Sequence, residues 1–349
     1  MKIAIIVPSL AHKAPVLVAR DLAKGFVLAG HSVTAFYFDI SNEVQFPCPV
    51  KLIKLFDYVQ LDGFDVVHTH MLRPDLFGWY CKKIHRMSGK FVTTIHNIVE
   101  DDLFYSYGKF ISAIFSPIWR LIWSGLDGRV VISDHELHYY NLTQPKLSFL
   151  RIYNGCNSHI ASSIEVNDGK IITDAKKRWQ LIGACAVVSQ RKGLEQVIKA
   201  LPFMTDYAFL LIGDGPTLQD LQILANSLGV ANRFITLGQK NNARDYMPYI
   251  DIYAMPSRSE GMGLALLEAV SAGVPAVCSD IPVFREIFSE HEVSFFQLDN
   301  IEDFVTAIKY LENNGVALSK RARERVETSY TQEIMVSHYL NYFEILCQK

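Results

Sequence analysis

Met255-Pro256-Ser257-Arg258-Ser259-Glu260-Gly261-Met262-Gly263-Leu264-Ala265-Leu266-Leu267-Glu268-Ala269 changes character twice. The apolar run 252–255 predicts a buried strand, a Ser-rich loop ends it, and Leu264 opens an apolar helix. Gly261 and Gly263 let backbone approach a ligand closely. Free amides at a helix N-terminus, with the helix dipole, favour phosphate. Glu260 stands in the loop and Glu268 on a helix made largely of Leu and Ala. A carboxylate on so apolar a helix requires a partner, because an unpaired buried charge is costly. Sugar and ribose hydroxyls are suitable donors to both.

Short β-branched runs alternate with helical patterns on either side of this segment. Residues 3–7, 33–38, 66–69, 91–95, 130–132 and 149–152 read as buried strands of one parallel sheet. Residues 181–186, 209–212, 234–237, 252–255, 276–278 and 295–297 read as strands of a second. Helices are expected at 15–29, 193–201, 217–228, 264–272, 301–313 and 320–329. This alternation predicts two doubly wound α/β domains, 1–160 and 161–330, with the polar stretch 158–177 as linker. An amphipathic helix in 331–349 is expected to pack back on the first domain. Ligands of such sheets sit at the carboxyl ends of strands, so the loops after strands carry the candidates.

Half of the 349 residues are apolar and 20% are charged, enough for two filled cores. A net charge of -2 argues against a nucleic-acid partner. Residues 1–160 hold 16 Lys+Arg against 13 Asp+Glu, and the remainder 18 against 23. Two readings stand for the basic half: a face toward an anionic membrane, or scattered surface charge. Cys48, Cys81, Cys156, Cys185, Cys278 and Cys347 form no CxxC pair, which fits reduced thiols in a cytosol. The N-terminus reads as a first strand rather than a signal peptide, and no apolar run reaches the roughly 18 residues of a spanning helix. The expected location is the cytoplasm, with the inner face of the plasma membrane as a peripheral station.

Around the opening segment the chain resembles a family. Glu260-x7-Glu268, followed by Ala272-Gly273-Val274-Pro275, is similar to the signature of retaining GT-B glycosyltransferases of family 4. Gly213-Asp214-Gly215-Pro216 after a strand, Lys192-Gly193 opening a helix, Asn154-Gly155, residues 65–70, and Asp280-Ile281-Pro282 with Arg285-Glu286 agree in order. The resemblance covers nearly the whole chain and is most specific between residues 180 and 290.

It implies a GT-B fold, two Rossmann-like doubly wound parallel-sheet domains facing each other across a cleft. The N-terminal domain would bind a saccharide or lipid-linked saccharide acceptor, and the C-terminal domain a nucleotide-sugar donor. Transfer would retain configuration and use a UDP-sugar, by family frequency, in synthesis of O-antigen, capsule or lipopolysaccharide. Residue by residue, the resemblance gives Glu268 to ribose hydroxyls and Glu260 to hydroxyls of the transferred sugar. The amides of Gly261, Met262, Gly263 and Leu264 go to sugar and phosphate, with Gly213 also on the donor side. Lys192 would neutralise the departing diphosphate, whose negative charge a fixed cation stabilises. Arg191 beside it offers a bidentate alternative.

The chain departs from the family in two places. Members carry an Arg shortly before that Lys, where Val187 stands here, so either Arg191 substitutes or the diphosphate is held less tightly. The first loop reads Ser9-Leu10-Ala11-His12-Lys13-Ala14-Pro15 instead of a Gly-rich turn, leaving His12 or Lys13 as the replacement.

His96 ends a predicted strand and matches a family histidine near the reacting sugar; a structural histidine is the alternative. His70, ending the preceding strand, is a second acceptor-side candidate, with Arg73 nearby. Glu100-Asp101-Asp102 is the one acidic run suggestive of a metal, and it lacks the setting of a metal-dependent GT-A enzyme. No metal and no cofactor are expected, with Lys192 and helix dipoles in the cation's place. The aromatic stretch 103–123, with Lys109 and Arg120, reads either as a membrane-interface segment or as a core or cleft-lining helix pair. Two other functions stay open: a sugar-nucleotide epimerase of GT-B-like fold, and a catalytically silent nucleotide-sugar-binding subunit.

Overall fold

The β-branched runs pair into two separate parallel sheets in the computed structural model, which describes residues 1–41, 43–56, 58–156 and 162–348. Two units result, Met1–Gly155 with Tyr330–Lys349, and Cys156–Ser329.

The first unit's sheet is ordered β3-β2-β1-β4-β5-β6-β7. Its strands are β1 (Lys2–Ser9), β2 (Ser32–Asp39), β3 (Val50–Leu52), β4 (Val66–His70), β5 (Lys90–Ile95), β6 (Gly128–Val131) and β7 (Leu150–Arg151). Helices α1 (Ala14–Leu28), α2 (Leu72–Lys83), α3 (Val99–Ser124) and α4 (Asp134–Thr143) follow β1, β4, β5 and β6. Ile3, Ala4, Ile5, Ile6 and Val7 are all fully buried, as a strand covered on both faces requires.

The second sheet is ordered β10-β9-β8-β11-β12-β13, from β8 (Gln180–Cys185), β9 (Tyr207–Ile212), β10 (Phe234–Thr236), β11 (Ile252–Met255), β12 (Ala276–Ser279) and β13 (Ser294–Phe296). Its helices are α5 (Val166–Lys176), α6 (Glu195–Ala200), α7 (Leu218–Ser227), α8 (Leu264–Ser271), α9 (Pro282–Ile287) and α10 (Ile301–Ser329). Helix α11 (Gln332–Gln348) belongs to the first unit, where Phe343 meets Phe26 of α1 at 5.7 Å between ring centroids. Both sheets are the doubly wound α/β type expected. In each, strand order reverses beside the first-laid strand, between β1 and β4 and between β8 and β11, the position at whose carboxyl edge such sheets bind ligands.

Three elements differ from the sequence expectation. Of the stretch 158–177, residues 158–161 lie outside the described residues, and 166–176 is not linker but helix α5, packed on β8 through buried Ile172 and Ala175. Its polarity misleads because the charges have distant partners: Lys240 lies 2.7 Å from Asp168 and 2.8 Å from Glu165. Residues 301–313 and 320–329 are one helix, since Gly315 is a packing residue whose added Cβ would lie 3.1 Å from Pro275. Strand β3 was not anticipated; it is a three-residue edge strand, exposed throughout, and carries no burial pattern. Among the described residues no helix is long and apolar enough to cross a membrane.

Candidate active site

At the second unit's switch point the loops after β8 and β11 lie side by side. The first passes through a 3-10 turn, Gln190–Lys192, and leaves it at Gly193 with φ 61°. A Cβ on Gly193 would sit 2.1 Å from the Pro256 carbonyl oxygen, so only glycine lets the loops close this far. The Arg258 amide donates to the Arg191 carbonyl at 2.8 Å, and Gln196 Nε2 to the Pro256 carbonyl at 2.9 Å. Arg258 itself pairs with Glu195 at 2.7 Å and Asp299 at 2.5 Å, which anchors the Ser-rich loop.

The outcome is an ion pair. Lys192 Nζ lies 2.5 Å from Glu260 Oε1, with side chains 16% and 7% exposed. Burial alone would push the Glu260 carboxyl up; the Lys192 ammonium and then the Arg191 guanidinium outweigh it and hold it below its ordinary value. Gly261, Met262 and Gly263 are buried behind Glu260, and Gly263 is the N-cap of α8.

Gly213 follows β9, where an added Cβ would lie 1.9 Å from the Ala186 carbonyl oxygen. Val188 N–H donates to the Asp214 carbonyl at 2.9 Å, clasping this turn to the stretch that leads into Lys192. Val187 is 61% exposed there.

Glu268 meets a partner the sequence reading missed. Arg244 Nε lies 3.5 Å from Glu268 Oε1. Arg244 stands on a 3-10 segment, Ala243–Tyr249, next to Asp245, whose carboxylate accepts from the Ser162 amide at 3.0 Å and from the Ser162 hydroxyl at 2.5 Å. No local pattern marks Arg244; only the demand of a carboxylate on an apolar helix for a counter-charge points toward such a residue.

In the first unit, His70 and His96 end neighbouring strands and touch: His70 Nδ1 and His96 Nε2 are 2.9 Å apart, with the rings stacked. Behind them His68 Nε2 contacts Thr94 Oγ1 at 2.7 Å, and Thr94 contacts the Tyr339 hydroxyl of α11 at 2.8 Å. Burial pulls all three histidines far down, His68 and His96 to about 3, so they are neutral at physiological pH. Met71, next to His70, has φ 77° and ψ 168°, a region normally reserved for glycine.

The remaining first-unit candidates have partners of their own. Arg73 is tied to Asp39 at 2.7 Å, and the His12 amide donates to Glu43 at 2.9 Å. Glu100 pairs with Arg120, and Asp102 accepts from Asn97. Among the described residues no group of three His, Cys, Asp or Glu is placed to hold a metal.

Comparison with known proteins adds four findings. The family model for glycosyl transferases group 1 matches residues 171–329. The whole chain is 29% identical, over 99% of each sequence, to the O-antigen biosynthesis glycosyltransferase WclY of Escherichia coli. It is 23% identical to the UDP-Gal:alpha-D-GlcNAc-diphosphoundecaprenol alpha-1,3-galactosyltransferase of Escherichia coli, over 80% of this chain and 75% of that one. Among solved structures it superposes on Anabaena Alr3699/HepE in complex with UDP and glucose with a TM-score of 0.83, 16% identity and 99% coverage of both chains. That last likeness is one of fold.

Proposed function

We propose that this glycosyltransferase, which belongs to the glycosyl transferases group 1 family and has the GT-B fold, moves a sugar with retention from a nucleotide-diphosphate sugar to a saccharide or lipid-linked saccharide. The donor is a UDP-sugar, the product part of a surface polysaccharide. The second unit takes the donor and the first the acceptor, on the cytoplasmic side of the membrane. The names of the two Escherichia coli relatives, one for O-antigen biosynthesis and one for UDP-Gal and a diphosphoundecaprenol acceptor, support this choice.

The observation that carries the reading is the Lys192–Glu260 ion pair beside the N-terminus of α8. Glu260 fixes the ammonium and offers its carboxylate to hydroxyls of the transferred sugar. Glu268, backed by Arg244, takes the ribose hydroxyls. The amides of Gly261, Met262, Gly263 and Leu264 face sugar and phosphate. As the anomeric carbon–oxygen bond to the diphosphate breaks, negative charge grows on the leaving group. Lys192, Arg191 and the positive end of α8 stabilise it without reorganising. The acceptor oxygen bonds to the anomeric carbon on the face the diphosphate leaves, and its proton passes to a diphosphate oxygen. These fixed positive groups stand in for a divalent metal, so transfer needs none. His96, braced by His70, serves the acceptor side.

Thermal melting with UDP-, GDP- and ADP-sugars tests the donor reading, because a ligand of the folded state alone raises the melting temperature. UDP-sugars are expected to stabilise, and Glu260→Ala to remove the effect. No stabilisation by any of the three classes sinks the reading. Proton NMR of the product tests retention, and an unchanged rate in chelator tests metal independence.

A further inference from the structure

Beside the Lys192–Glu260 pair, the neighbouring strands β8 and β11 end on a small cavity. Its polar lining includes Lys192, Tyr253 and Ser257, and its apolar walls include Ala184, Leu194 and Met255. The cavity leaves about 10 Å³ for the centre of a water molecule, which is room for about one.

Two hydroxyls border it with little else to bond. Ser257 is 1% exposed, and its Oγ has no hydrogen-bond partner among the described residues. The backbone on both sides of that side chain is tied down. The Pro256 carbonyl accepts from Gln196, the Ser257 carbonyl accepts from the Ser279 hydroxyl at 2.5 Å, and the Arg258 amide donates to Arg191. Tyr253, on β11 and also 1% exposed, meets the amide and the carbonyl of Cys185, each at 3.4 Å. That is long for a phenol, whose bonds to oxygen run about 2.5–3.0 Å. Burial first, then Cys185 and the charges of Glu268 and Glu260, push the Tyr253 phenol up, so it stays an O–H donor. A buried hydroxyl left without a good partner is costly, and native proteins satisfy such groups with ordered water where a cavity admits it.

We propose that one ordered water occupies this cavity and that Ser257 and Tyr253 position the Lys192 ammonium through it. The water accepts from Lys192 and from the Tyr253 phenol and donates to Ser257 Oγ, about three bonds, as buried waters typically make. Lys192 carries its charge on a flexible four-carbon stem, and Glu260 holds that charge from one side. The water holds it from a second, so the ammonium is in place before charge grows on the leaving diphosphate. Both hydroxyls act through Lys192 and are positioning residues. Their role rests on the proposed donor site; the water rests on the cavity and its lining alone.

A high-resolution crystal structure of the full chain is expected to show one water within hydrogen-bond distance of both Ser257 Oγ and Tyr253 Oη. In steady-state kinetics, Ser257→Ala and Tyr253→Phe should each lower kcat about tenfold, with circular dichroism unchanged and donor KM within about twofold, because the Lys192 charge remains and only its placement is lost. The double variant should fall no further than either single one, since both hydroxyls hold the same water. Density without that water overturns the proposal, as do losses that multiply in the double variant. So does full kcat in both single variants, which reduces the hydroxyls to packing. Turnover in a protein that lacks the water strikes this proposal alone. The water in place, with no turnover on any nucleotide sugar, strikes the donor reading instead, and with it the role given to the two hydroxyls.

Discussion

Lys192 and Glu260 form a 2.5 Å ion pair although 68 residues separate them in the chain. Each loop alone presents one member of the pair; the switch point between β8 and β11 brings the two together. Either Lys192→Ala or Glu260→Ala should lower turnover at least about a hundredfold, the scale of losing a preorganised transition-state group. Full activity in both variants sinks the assignment.

The same pair makes a stability prediction. Lys192→Met leaves the Glu260 carboxylate buried without its main counter-charge, which costs about 3 kcal/mol in denaturant unfolding. Lys192→Met/Glu260→Gln should recover much of that. Because Glu260 is held below its ordinary value, its contribution is complete above that value and fades as pH falls through the folded one. A Lys192→Met variant no less stable than wild type would show the pair to be energetically idle.

The histidines His68, His70 and His96 give the opposite kind of group the same direction of pH dependence. Burial favours their neutral forms, while the unfolded chain protonates them near the ordinary value of 6.5. Stability is therefore whole above 6.5 and is lost as pH falls from there toward about 3. Urea unfolding below pH 6.5 should show a shallower pH slope in His68→Asn than in wild type. An unchanged slope means that His68 titrates normally. Since His96 stays neutral in this range, no activity limb near 6.5 is expected from it.

Much of this was legible before any coordinates. Among the described residues, twelve of the thirteen strands fall where β-branched runs place them, and most of these are buried on both faces and so must be apolar throughout. The exposed edge strand β3 has no such constraint and left no trace. Glu260, Glu268 and Lys192 stood out because each puts a charge where the local pattern is apolar or Gly-bounded. Arg244 did not, since its meaning lies in Glu268 across the fold. The His70–His96 contact was equally hidden: the sequence shows two strand ends, and only the pairing of β4 with β5 makes them neighbours.

Arg244 accordingly has its own test. If it braces Glu268 for ribose, Arg244→Ala should raise the donor KM about tenfold with little change in kcat, the loss of one charge-assisted contact. Arg244→Lys keeps the charge without the planar fork and should restore part of the affinity. A fall in kcat with unchanged KM would place Arg244 in the chemical step instead.

Gly193 tests whether loop closure, and not the charges alone, builds the site. Its φ of 61° makes Gly193→Ala cost about 1 kcal/mol or more from backbone strain. The added Cβ would also meet the Pro256 carbonyl oxygen at 2.1 Å, which the loop relieves only by moving away from Lys192. Gly229 is the control: its φ is 67°, but nothing lies within 4 Å of an added Cβ. Gly229→Ala therefore carries the strain without the displacement and should keep wild-type turnover at a slightly lower melting temperature. Gly193→Ala should lose turnover as Lys192→Ala does, although every charged residue remains. Equal turnover in the two alanine variants would mean that the spacing of the loops does not govern the Lys192–Glu260 pair.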